Sequence, residues 1–93
     1  MNVVWSRRAL TQLDAITSFI ARDNPAAAMS VARRIRVTAS LLGPFPRIGR
    51  QTDEAGVYIL PVPGSPYLLF YRLADVADEV RIIRVRHGAR RKA

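Results

Sequence analysis

Residues 67–87, "YLLFYRLADVADEVRIIRVRH", are the stretch on which the fold turns. Residues 67–73 are apolar on both of the faces that a strand presents, which predicts a strand at the centre of a sheet. "ADVAD" has turn composition, and residues 79–87 return as a last strand in which Val80, Ile82, Ile83 and Val85 are threaded by Arg81, Arg84 and Arg86. Regular alternation puts Val80, Ile82, Arg84 and Arg86 on one face and Arg81, Ile83, Val85 and His87 on the other. Each face is then mixed, as in a strand buried on both sides that emerges at one end. Pairing through the short turn brings Arg72 toward Arg81, with Glu79 or Asp78 as the expected counter-ion.

Working outward, residues 57–62 form a further strand, which Pro61 and Pro63 push toward an edge or a bulge because proline cannot donate to the ladder. "PGSP" turns into the central strand, so the C-terminal part is a three-strand meander. Residues 43–56, "GPFPRIGRQTDEAG", are rich in proline and glycine and read as a loop with neither helix nor strand pattern. At the other end, residues 2–5 read as a short strand and Ser6 as the N-cap of a helix from residue 7 to about residue 22. Ala9, Leu10, Leu13, Ile16, Phe19 and Ile20 make its apolar face. Asn24 followed by Pro25 opens a second helix, with Ala28, Val31, Ala32, Ile35, Ala39 and Leu42 on one face and Gly43 as its stop. The expected architecture is a single α+β domain over residues 1–93: an N-terminal strand and a helical hairpin packed on a mostly antiparallel sheet. A disordered basic tail is expected at about residues 89–93.

The chain has 93 residues, enough for one core. It has no cysteine and one histidine, so no disulfide, metal site or cofactor is expected. The net charge is +8 and nearly all the positive charge is arginine, with Lys92 the single lysine. Arginine offers planar bidentate donors, which suit phosphate and carboxylate. Arg81, Arg84, Arg86, Arg90, Arg91 and Lys92 crowd into the final segment, a field that calls for an anionic partner. No apolar run approaches a membrane span or a signal peptide, so a cytoplasmic protein without a membrane partner is expected.

Four pieces in order, "VVWSRRALTQLDAITSFIARDNPAAA" (3–28), "PRIGR" (46–50), "PYLLFYR" (66–72) and "VRIIRVRHGAR" (80–90), together resemble the RelE/ParE superfamily of type II toxin-antitoxin toxins across almost the whole chain. The tryptophan-led start, the Asn-Pro between helices and the closing V-x-H-G-x-R look like its ParE-like branch. The resemblance implies a bacterial toxin neutralised by a small antitoxin encoded beside it. It also implies one of two mechanisms: poisoning of DNA gyrase without catalytic chemistry, or ribosome-dependent cleavage of messenger RNA.

Metal-free RNA cleavage needs a proton acceptor, cations for the charged transition state and a donor to the leaving oxygen. The sheet cations of the RelE-like branch would fall at Ile59, Pro61 and Leu68, none of which carries charge. Gly88 stands where a related nuclease group has a tyrosine after its histidine. Histidine is a residue suited to general acid or base work, but His87 lacks these partners. The resemblance therefore points to a poison, with Arg84, Arg86, His87, Arg90 and Arg91 meeting the target. Tyr58 and Ile59 depart from the family pattern, since many ParE-like relatives have an Arg-Glu pair there.

Antitoxins of this class are acidic, fold on binding and lay an amphipathic helix in an apolar groove. Their contacts are expected at Leu13, Ile16 and Ile20, flanked by Arg7, Arg8 and Arg22, and at Arg33, Arg34, Arg36, Arg72 and Arg81. The toxin would form a hetero-oligomer with the antitoxin and reach operator DNA only through it. Two further readings are a basic nucleic-acid-binding module that stacks bases on Tyr67, Phe70 and Tyr71, and a degenerate toxin that folds with an antitoxin and represses their promoter.

Overall fold

The computed structural model describes residues 1–90, with the backbone alone for Arg90. In chain order it contains β1 (Asn2–Trp5), α1 (Arg7–Ala21), α2 (Pro25–Ser40), β2 (Arg50–Gln51), β3 (Tyr58–Pro61), β4 (Tyr67–Ala74), β5 (Glu79–His87) and a 3-10 turn (Gly88–Arg90). The strands form one sheet in the order β1-β5-β4-β3-β2. The doubly apolar β4 is its middle strand. β1 pairs parallel with β5 and every other neighbour is antiparallel. A parallel neighbour needs a long connection, which the helices and the meander between β1 and β5 supply.

Both helix starts are set by their caps. The Ala9 N–H donates to the Ser6 hydroxyl at 3.0 Å, and the Ser6 N–H donates to the Ile82 carbonyl at 2.9 Å, which ties the start of α1 to β5. The Ala27 N–H donates to Asn24 Oδ1 at 3.0 Å, and Pro25 occupies the first turn, where its missing N–H costs nothing.

The apolar faces of the helices meet one side of the sheet. Ala9, Leu13, Ile35, Ala39 and Leu42 pack there against Leu69, Tyr71, Val80, Ile82 and Val85. Burying a side chain of leucine or isoleucine size is worth about 1.5–3 kcal/mol, so this layer holds the fold. The opposite side has a smaller cluster of Val57, Ile59 and Phe70, joined by Leu68 and Ile83, to which no helix contributes among the described residues. Tyr71 is fully buried and Phe70 is 7 % exposed, so the aromatic strand offers no platform for stacked bases.

Two expectations are corrected. Residues 43–56 are not all loop, because Arg50 and Gln51 pair with Ile59 and Tyr58 as an edge strand. Two residues are too few to show alternation in sequence, and the pairing follows from a long-range tether. The Gly49 N–H donates to the Tyr71 hydroxyl at 2.9 Å, drawing the chain onto the sheet. The second correction concerns β5. Phe70 is opposite Arg84 while Tyr71 is opposite Ile82, so Ile83 is an extra residue and the strand bulges there. The regular alternation is thereby broken: Val80, Ile82 and Val85 all join the helix-covered core. Arg84 and Arg86 instead stand opposite Phe70 and Leu68 on the open side. Residues 88–90 form a 3-10 turn in which the Gly88 N–H donates to the Pro66 carbonyl at 2.7 Å, and the remainder of the expected tail lies outside the described residues.

The tether gives stability a pH dependence. Burial pushes the Tyr71 phenol above its ordinary 10.0, while the Gly49 N–H, which favours the phenolate, acts in the opposite direction. A raised folded-state value means that this contribution is complete below the unfolded value and is lost as pH rises through the folded one. Urea midpoints are therefore expected to fall on the alkaline side of about pH 10, and to fall less steeply in Tyr71→Phe.

Candidate functional site

The bulge at Ile83 places the arginines of the final strand. Beyond it, Arg84 and Arg86 both project over Phe70, with guanidinium carbons 4.8 and 5.2 Å from the ring centroid. Arg72 and Arg81 are cross-strand partners farther along the same side. Arg50, opposite Ile59, extends the basic rim at the sheet edge. The floor between these charges is the Val57, Ile59 and Phe70 cluster. Ile59, Pro61 and Leu68, where the RelE-like cations would stand, are on this side too, as their pairing with Phe70 and Arg86 requires.

One carboxylate organises the face. Glu54 Oε1 accepts from Arg84 at 3.1 Å and Glu54 Oε2 accepts from Arg72 at 3.2 Å. Arg72 also donates to the Ala55 carbonyl at 3.1 Å. The expected partners of Arg72 were Glu79 or Asp78, and Glu54 takes their place; Arg81 does pair with Glu79, at 3.0 Å. The turn carrying Glu54 is closed by Thr52, whose hydroxyl donates to the Val57 carbonyl at 2.9 Å and accepts from the Glu54 N–H at 3.2 Å. Gly56, at φ 76°, supplies the left-handed residue this turn needs. Exposed pairs such as Arg72–Glu54 are worth about 0.2–1 kcal/mol. Arg84 differs, being 17 % exposed, and its buried Nε has no hydrogen-bond partner among the described residues.

His87 is on the other side of the sheet. It pairs in register with Tyr67, and the two rings meet edge to face at 5.4 Å. Its Nδ1 accepts from the Ala89 N–H at 3.1 Å, which leaves the proton of the neutral ring on Nε2. The imidazole faces a groove between α1 and β5 lined by Ile16, Phe19 and Ile20. The expected target residues are thus only partly together: the Arg84 and Arg86 guanidiniums share the Phe70 surface, the His87 ring is on the other side, and Arg86 also lines the groove that His87 faces. The Arg90 side chain and Arg91 lie outside the described residues.

The expected antitoxin residues are also distributed. Leu13 is 3 % exposed and packs in the core, because it is centred on the side of α1 that meets the sheet. It also lines the cleft between the two helices. Ile16 and Ile20 do line the α1–β5 groove, beside Phe19, which is 64 % exposed. Arg33 and Arg34 border a second apolar strip with Val37, Leu41 and Pro63. Arg36 joins Leu10 and Met29 in the cleft between the helices. Arg72 and Arg81 belong to the open sheet face.

Sequence reasoning missed Glu54 because it sits in a stretch read as loop. Charge was the available signal, since Asp53 and Glu54 are the only acidic residues between Asp23 and Asp75. Gln12 was missed as well; its Oε1 accepts from the Val85 N–H at 2.8 Å, fastening α1 to the bulged strand. Among the described residues, no cluster of His, Cys, Asp and Glu could hold a metal ion, and no helix is long and apolar enough to cross a membrane.

Residues 3–92 match the family described as the ParE toxin of the type II toxin-antitoxin system parDE. The protein named Toxin RelE2 of Caulobacter vibrioides is 39 % identical over 89 residues, which are 96 % of this chain and 97 % of that protein. Among solved structures, the chromosomal ParDE TA system from P. aeruginosa superposes with a TM-score of 0.74 at 24 % identity, covering 94 % of this chain and 95 % of that one. The isolated E. coli RelE toxin follows with a TM-score of 0.69 at 19 % identity, covering 98 % of this chain and 87 % of that one. At these identities the two superpositions speak for the fold.

Proposed function

From the premise that this chain belongs to the ParE toxin family of type II toxin-antitoxin systems, we propose that it is a growth-arresting toxin that poisons DNA gyrase by binding and performs no catalysis. The observation that carries this reading is the separation of charges from proton donors. Arg84 and Arg86 are on the open face, while His87 is under the helices' side with Nδ1 engaged. A nuclease needs a titrating group beside its cations so that proton transfer and charge stabilisation occur at one phosphate. On the open face the carboxylate within reach is Glu54, which already accepts from two arginines. A poison needs only to hold a target complex, and a basic surface over an apolar floor suits that task.

In this proposal a cognate acidic antitoxin folds onto the groove at Ile16 and Ile20 and onto the arginines of α2, and operator DNA is reached through it. The toxin and antitoxin form a hetero-oligomer in the cytoplasm. Messenger RNA cleavage at the ribosome is the second reading, favoured by the name of the Caulobacter relative. His87→Ala separates the two. Growth arrest upon induction without antitoxin is expected to persist, accompanied by gyrase-linked DNA breaks and intact messenger RNA. Restored growth in this variant, with ribosome-dependent cuts present only in the parent, would establish the nuclease instead.

A further inference from the structure

The open face holds its own anion. Glu54 reaches over from a turn 30 residues before Arg84 in sequence and divides its two oxygens between Arg84 and Arg72, one bond to each. Neither guanidinium therefore has the two-pronged pairing that its geometry favours with a carboxylate or phosphate. Arg84 is the less well satisfied of the two. It is mostly buried, rests against Phe70 and has an Nε–H with no acceptor among the described residues. Glu54 itself is 51 % exposed, so water already competes for it and its side chain has room to rotate away. The turn beneath it is fixed by Thr52, which confines such a movement to the side chain.

We propose that Glu54 is a reversible latch on an anion subsite formed by Arg84 and Arg72, and that a nucleic-acid phosphate displaces it there when the toxin engages its target. The proposal rests on the reading of this face as the target contact and adds the regulation of that contact. A phosphodiester carries one negative charge on two non-bridging oxygens, so it can take over the divided arrangement that Glu54 holds, one oxygen to each guanidinium. Arg86, on the same Phe70 ring, adds charge beside the subsite. The latch lowers affinity for stray polyanions and keeps a mostly buried arginine compensated until the exchange, since an unpaired buried charge is strongly destabilising. Displacement then swaps one anion for another.

The test uses the full chain and a fluorescein-labelled 20-base-pair DNA duplex, with binding followed by anisotropy over a series of salt concentrations. Glu54→Gln removes the latch, and Asp53→Asn changes net charge equally from the same turn without touching an arginine. Glu54→Gln is expected to tighten binding by roughly threefold to tenfold, and to steepen the salt dependence by about one counter-ion. Asp53→Asn is expected to do much less. Equal tightening in both variants, or none in Glu54→Gln, overturns the latch. A further arm keeps the two readings apart. If Arg84→Ala weakens duplex binding while Glu54→Gln leaves it unchanged, the latch alone fails. If Arg84→Ala has no effect, the face is not the nucleic-acid contact and both fail. A shift in melting temperature on adding the duplex, larger for Glu54→Gln than for the parent, confirms that the folded variant is the species that binds.

Discussion

Replacing Arg84 and Arg86 together by alanine is expected to abolish growth arrest when the toxin is induced without antitoxin. Both side chains lie over Phe70 on the sheet face that no helix covers. Truncating one partner of a desolvated charge contact costs about 2–5 kcal/mol. Two such losses amount to about half or more of the roughly 8 kcal/mol behind a micromolar complex. The fold should survive, because the helix-covered layer is untouched and Glu54 keeps Arg72 as a partner. The check is plating efficiency upon induction, with matched protein levels by immunoblot and a thermal melt of each variant. Growth arrest retained at equal expression would place the target contact elsewhere.

Gly49→Ala is expected to be the most disruptive small substitution in the chain. A methyl group there would lie 2.5 Å from the Tyr71 hydroxyl and 2.8 Å from the Ile59 carbonyl oxygen. Both atoms belong to the sheet, and Tyr71 is fully buried, so the loop must yield. Overpacking of this kind costs about 1–3 kcal/mol. Loss of the Gly49 to Tyr71 hydrogen bond adds about 1 kcal/mol. For a domain of this size each kcal/mol moves Tm by about 4–8 °C, so a drop of at least 8 °C is the expected reading. Combining it with Tyr71→Phe should recover part of the loss, since that removes the nearest obstruction and leaves the Ile59 carbonyl and the ring Cε1 at 2.9 Å. A Gly49→Ala melt that coincides with the parent would mean that the tether does not shape the loop.

These experiments probe residues of unequal legibility. Arg84 and Arg86 stood out by charge, and Glu54, the partner of Arg84, did not. An ion pair between residues 30 apart leaves no periodic trace. Gly49 was visible only as one glycine in a stretch rich in turn formers, and its role depends on a tyrosine 22 residues away. His87 drew attention as the single histidine, but the face it occupies depends on one inserted residue upstream.

Whatever is encoded at short range was determined by the chain alone. The two helices follow from apolar residues at three- and four-residue steps and from the caps Ser6 and Asn24, because capping and amphipathic burial involve neighbours in sequence. The central placement of β4 follows from its double-faced apolarity, and the basic character of β5 from its arginines. Tertiary structure decided the rest. The Ile83 bulge is a mismatch between two strands and exists only when they pair. It moves Val85 into the core, collects Arg84 and Arg86 over Phe70 and turns His87 toward α1. Strand β2 likewise depends on the distant Tyr71 hydroxyl. Composition carried the positive charge of this toxin, and the register of one strand pair chose the surface that displays it.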